Sequence, residues 1–109
     1  YKRISDNIEK LTIKNPDAKN IQWLNIKNPA KKELEYLRKN YGFKLRQLEW
    51  ASAKAISSRP IIEEDEGYIF LILQFPIYIK DKVHVEEISF FIGEDYIITL
   101  HNNNIKKIN

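Results

Sequence analysis

Six consecutive apolar residues, Tyr-Ile-Phe-Leu-Ile-Leu at 68–73, constrain this chain more than any other feature. The run is far too short for a membrane-spanning helix, which needs about 20 apolar residues. Its aromatic and β-branched content favours a strand. A strand that is apolar at every position, without alternation, fits a central place in a sheet covered on both faces. The 109-residue length implies one small domain with one core. That domain has to find a cover for each face of its sheet.

The remaining elements follow from punctuation and period. Leu11, Thr12 and Ile13 form a short strand closed by the turn residues Asn15, Pro16 and Asp17, and 21–26 is a second strand containing Trp23. Asn28 and Pro29 read as a helix start. Ala30, Leu34, Leu37 and Tyr41 then recur at helical spacing, with Lys31, Lys32, Glu35, Arg38 and Lys39 on the other side and Gly42 as the stop. A second helix is expected over about 44–56, with Leu45, Leu48, Ser52 and Ala55 inward, ended by Arg59 and Pro60. After it come an edge segment at 60–63, the apolar run, and two hairpin strands at 83–92 and 96–100. The expected fold class is α+β, of the α/β sandwich type. It has a mixed, mainly antiparallel sheet of about six strands, in the order ββααββββ, with a helix pair on one face. The second sheet face is left without a cover.

The absence of cysteine removes disulfides, zinc ribbons, iron–sulfur clusters and cysteine nucleophiles together. With glycine only at 42, 67 and 93, neither a phosphate-binding loop nor a dinucleotide fingerprint can be written. No Gly-x-Ser-x-Gly elbow is present, and His84 and His101 lie on different strands with no carboxylate pair completing a ligand set around either, so the chain is read as non-enzymatic. The absence of methionine, in a chain that starts Tyr1-Lys2-Arg3, is read as the mark of a piece of a longer protein. Charge is unevenly distributed: residues 1–59 carry 14 Lys/Arg against 6 Asp/Glu, and residues 60–109 carry 4 against 9. No aromatic stacking platform is interleaved with the basic residues, which argues against nucleic acid as a partner and for ordinary solvated helix faces.

Several segments, taken in order, resemble the N-terminal domain of CorA-type divalent-metal transporters. They are the Trp23 strand, the Tyr41-Gly42-Phe43 turn, the Leu-x-x-Leu-Glu stretch at 45–49, Arg59-Pro60-Ile61-Ile62-Glu63, the 68–73 run, Glu87-Ile88-Ser89-Phe90-Phe91-Ile92, and Tyr96-Ile97-Ile98-Thr99-Leu100-His101. The resemblance covers about 21–101. It implies that residues 1–109 form a single cytoplasmic α/β domain, on the inner side of the cell membrane, of a homopentameric transporter for magnesium or a related divalent cation. Contact with the membrane, the pore and the Gly-Met-Asn signature would belong to parts outside this chain. No cofactor is required, and Mg2+ would be both the transported and the regulatory ion. The family's later helices would supply the missing sheet cover, so this chain alone is expected to self-associate through the bare face. The alternative is a free-standing module of the same fold that binds protein or nucleic acid.

The resemblance also implies acidic metal sensors at subunit boundaries. Where the family has Leu-Glu-Asp, this chain has Leu48-Glu49-Trp50, and tryptophan offers no hard oxygen donor for magnesium. Glu49 is therefore one candidate ligand. Glu63, Glu64, Asp65 and Glu66 form the one dense carboxylate run and are the others. The plainer reading of that run is a solvated turn that discourages edge-to-edge pairing. Trp23, Trp50 and Tyr68 are read as core or subunit-contact aromatics.

Overall fold

The computed structural model describes residues 2–5, 8–14, 20–52, 61–101 and 106–107, with side chains described from residue 8 to residue 101. The elements are β1 (Lys2–Ser5), β2 (Ile8–Ile13), β3 (Ile21–Lys27), α1 (Lys31–Tyr41), α2 (Leu45–Ser52), β4 (Ile61–Asp65), β5 (Tyr68–Ile79), β6 (Lys82–Gly93), β7 (Tyr96–His101) and β8 (Lys106–Lys107). They build one mixed sheet in the order β1-β2-β3-β7-β6-β5-β4, with β8 beside β6. All pairs are antiparallel except β3 with β7, which run parallel at the centre. The six expected strands are β2 to β7 in the expected order, and the short β1 and β8 are added to them.

Strand alternation sorts the sheet into two faces. Leu24, Ile26, Phe70, Ile72, Phe91, Ile98 and Leu100 share one face with Ile8, and Leu37 of α1 and Leu48 of α2 close over them. Every one of these side chains is at most 1% exposed. Phe43 enters this core because Gly42 ends α1 in a left-handed conformation (φ 71°), its N–H bonding to the Arg38 carbonyl, and turns the chain back toward the sheet. The Phe43 ring lies 4.1 Å from Phe91 and 4.8 Å from Tyr68, centroid to centroid.

Several local details differ from the sequence reading. The helix cap is Ala30 rather than Asn28, which itself sits at positive φ (48°). The buried Glu33 carboxylate takes over the capping role by accepting the Ala30 N–H at 2.9 Å. On α2 the inward residues are Gln47, Leu48 and Ala51, while Leu45 is 52% exposed. Residues 53–60, which include the expected end of this helix and Ala55, lie outside the described residues. Strand β5 does not stop near Pro76 but runs on to Ile79 as one side of a long hairpin, and its apolar run is buried on only one face. β4 begins opposite Ile72, and Pro76 pairs with Val85 of β6.

Gly93 allows a close contact in this core. A Cβ at that position would fall on the Tyr96 ring, which packs 4.9 Å from Tyr41 and 6.0 Å from Phe43. Gly93→Ala is therefore expected to destabilise by about 1 to 3 kcal/mol through overpacking, read as a lower urea midpoint with an unchanged slope.

Candidate functional site

Two features stand out once the core is placed. The first is a polar clasp between α2 and the β4–β5 hairpin. Glu63 and Asp65, two residues apart on β4, project to the helix side of the sheet beside Phe70 and Tyr68. Gln47 is fully buried and gives one amide proton to Glu63 Oε1 at 2.8 Å and the other to Asp65 Oδ2 at 2.6 Å. Its Oε1 accepts from the Tyr68 hydroxyl, which in turn accepts the Lys44 backbone N–H at 3.3 Å. The two carboxylates are neutralised from outside the clasp. Lys44 Nζ lies 2.6 Å from Asp65, and Arg46 Nη2 spans both Glu63 oxygens at 3.0 and 3.1 Å. Part of the charge asymmetry between the two halves of the sequence is thus an internal pairing of Lys44 and Arg46, at the start of α2, with Asp65 and Glu63 of β4.

These contacts set the ionisation. The hydrogen bond from Lys44, followed by that from Gln47, holds Asp65 below the usual carboxylate range, and the same bond to Asp65 raises Lys44. Burial raises Tyr68 and keeps its proton available for Gln47. Because Asp65 is depressed in the folded state, its contribution is complete above the unfolded value of about 3.9 and is lost as pH falls through the folded value. Lys44 shows the opposite sign: its contribution is complete below about 10.4 and is lost as pH rises through its raised folded value. The stability gap between the native chain and Asp65→Asn should therefore be constant near neutrality and close in strong acid. Urea midpoints from pH 7 down to 2.5 measure it.

The second feature is the sheet face opposite the helices. Strand register places Leu11, Trp23, Ile97, Ile92, Ile69 and Leu71 there, continued by Phe90, Leu73, Ile88 and Ile62. No described element lies over them. Trp23 is 38% and Ile69 37% exposed, values high for side chains on strands paired on both sides. A small polar island interrupts the surface, where Trp23 Nε1 donates to Thr99 Oγ1 at 3.1 Å and Thr99 donates to Asn25 Oδ1 at 2.9 Å. His101 borders this island, and burial is the main cause holding its pKa below the ordinary histidine value.

The structure brings together two of the five candidate metal ligands. Glu63 and Asp65 meet at Gln47, whereas Glu64 projects to the opposite face, Glu66 lies in the β4–β5 turn and Glu49 lies on α2. Glu49, Glu64 and Glu66 are exposed. Among the described residues no three His, Asp or Glu side chains are arranged to hold a metal ion. Trp50 is 37% exposed; its ring stacks 6.3 Å from Phe70 and carries Arg46 at 5.1 Å above it. Sequence reasoning missed Gln47. The one available signal was a polar residue next to Leu48 on the inner side of a short amphipathic helix.

Comparison with known proteins fits this architecture. The family model for the CorA-like Mg2+ transporter protein matches residues 18–109. The chain belongs to the CorA-like family. The soluble domain of CorA from Methanocaldococcus jannaschii is similar at 22% identity and a TM-score of 0.58, over 75% of this chain and 32% of that one. The complete CorA magnesium transporter from the same organism is similar at 22% identity and a TM-score of 0.57, over 84% of this chain and 27% of that one. The full-length CmaX protein matches at 11% identity and a TM-score of 0.60, over 84% of this chain and 28% of that one. At these identities the likeness shows a shared fold, and the chain spans about a third or less of each CorA or CmaX structure. No curated protein matches the chain. The family is one of transporters rather than enzymes. No helix of the described residues is long and apolar enough to cross a membrane.

Proposed function

We propose that the chain acts as the cytoplasmic regulatory and assembly domain of a CorA-like transporter of magnesium or a related divalent cation. The observation that carries this reading is the apolar sheet face left open opposite the helix pair, in a chain whose family is that of CorA-like Mg2+ transporters. A surface of that size calls for a cover, since soluble proteins seldom leave large apolar patches open. In the complete gene product the cover comes from the rest of the subunit. In the 109-residue chain alone it comes from other copies. Subunits assemble as a homopentamer, on the cytoplasmic side of the membrane.

Regulation is a population shift. Divalent ions bridging carboxylates between neighbouring subunits favour a closed assembly, and their loss releases it. Glu49, Glu64 and Glu66 present hard oxygen donors of the kind magnesium takes, at the surface where a second subunit can add to them. Glu63 and Asp65 have the same chemistry, but an ion would first have to displace Arg46 and Lys44.

Two measurements test this. Light scattering of the 109-residue chain should give a mass well above the 13.0 kDa monomer. The double variant Ile69→Lys/Phe90→Lys, which places charge in the middle of the open face, should return it to a monomer; a native chain that stays monomeric at high concentration would contradict the reading of that face as one that needs a cover. For the complete gene product in detergent, native mass spectrometry should give five subunits, and added Mg2+ should slow limited proteolysis. Proteolysis indifferent to Mg2+ would remove the regulatory part of the proposal.

A further inference from the structure

One titratable side chain lies on a central strand of the open sheet face. His101 shares that face with Ile97 and Thr99, because Ile98 and Leu100 between them point into the core. Strand register puts Lys27 of β3 on one side of it and Ile88 of β6 on the other, with Leu73 of β5 beyond Ile88. Its carbonyl accepts the Asn28 N–H at 2.7 Å, which fixes this end of β7 to the turn before α1. The half-buried imidazole therefore has an apolar neighbour on one side and an ammonium on the other.

The charged groups nearest to it balance without it. Lys27 contributes one positive charge and Glu86, on the same face of β6 opposite Phe75, one negative charge, and both act on His101. Thr99 and Asn25 are neutral and already bonded to each other. Glu9 of β2 lies farther off, opposite Asn25. His84 lies farther along β6, where β8 brings Lys106 and Lys107 beside Val85 and His84. A neutral imidazole leaves the charges of Lys27 and Glu86 even, whereas an imidazolium leaves one positive charge in excess.

We propose that His101 couples covering of the open sheet face to the release of a proton, so that acid loosens the cover. This rests on the reading of that face as one that needs a cover. The face is apolar over most of its area, so the cover it calls for is apolar too and brings no counter-charge to an imidazolium. Covering strips the ring of water while Lys27 stays beside it, and both effects disfavour the charged form. Packing within the chain already acts in this direction: burial is the main cause that holds His101 below the ordinary histidine value, with Glu86 opposing it and Lys27 adding to it. Covering lowers the value further, which fixes the sign of the coupling. Above the uncovered value His101 is neutral in both states, and the cover is indifferent to pH. Below it a proton must leave before the face can close, and each pH unit weakens the cover by up to about tenfold.

Sedimentation equilibrium of the 109-residue chain between pH 7.5 and 5.0 tests the coupling. The dissociation constant per covered face should rise at least about threefold over this range. In a Trp50→Phe background, where Trp23 of the open face is the one tryptophan left, Trp23 should become more accessible to acrylamide in parallel. His101→Gln, which stays neutral, should associate as the native chain does at pH 7.5 and lose this rise, while His84→Gln should keep it. Lys27→Gln should move the rise to higher pH and Glu86→Gln to lower pH, shifts that a merely structural role for His101 would not produce. An oligomer whose pH dependence is the same with and without His101→Gln, or one that tightens in acid, overturns the coupling and leaves the cover standing. A chain that is monomeric at every pH overturns both.

Discussion

Phe91→Ala is expected to lower stability by about 3 to 5 kcal/mol. Phe91 is fully buried, and its ring packs against Phe43 at 4.1 Å, Phe70 at 4.8 Å and Tyr68 at 5.9 Å. These partners come from the interhelix turn and from β5, so the side chain joins the helix layer to the sheet at one point. Truncation leaves a cavity that the neighbouring rings cannot fill without giving up their mutual contacts. A single domain of this size is typically stable by only about 5 to 15 kcal/mol, so the loss is a large share of the whole. Urea unfolding followed by tryptophan fluorescence measures it. Phe91→Leu, which keeps most of the volume, should cost less than half as much; equal losses would show that the aromatic cluster is not closely packed.

Gln47→Leu is expected to cost about 2 to 4 kcal/mol although it replaces a buried polar residue with an apolar one of similar size. The gain in apolar burial is outweighed because three partners remain. Glu63 and Asp65 each lose an amide donor, and the Tyr68 hydroxyl loses its acceptor. Two carboxylates on the same side of one strand then face each other with only Lys44 and Arg46, both more than half exposed, to balance them. The tripled variant Gln47→Leu/Glu63→Gln/Asp65→Asn separates the causes. If unsatisfied carboxylates are the reason, it should recover most of the loss relative to Gln47→Leu; no recovery would mean that the helix is simply misfitted by leucine.

The order of elements and the helix end were legible because local chemistry decides them. Gly42 stops α1 by its own conformational freedom, and the turn at Asp65, Glu66 and Gly67 needs no distant partner. The open second face was legible for a related reason: an apolar run with one helix pair available leaves one side without a cover. What was not legible depends on partners far apart in sequence. Gln47 is inward because of Glu63, Asp65 and Tyr68, 16 to 21 residues away. Leu45 was placed inward by spacing alone and is displaced outward as Gln47 takes that side of a two-turn helix. The start of β2 at Ile8 was hidden because a single isoleucine among polar neighbours carries no period, and its burial comes from lying opposite Ile26. Of the acidic candidates, alternation along β4 decides which are paired and which are exposed. That alternation could be read only once the strand had been located.

Transport by the complete gene product tests the central proposal most directly. Reconstituted into liposomes that enclose a Mg2+-sensitive dye, it should admit Mg2+ well above protein-free vesicles, and the Ile69→Lys/Phe90→Lys change, by spoiling the cover of the open sheet face, should abolish that entry along with assembly. A folded, oligomeric product that admits no Mg2+ or other divalent cation would contradict the account.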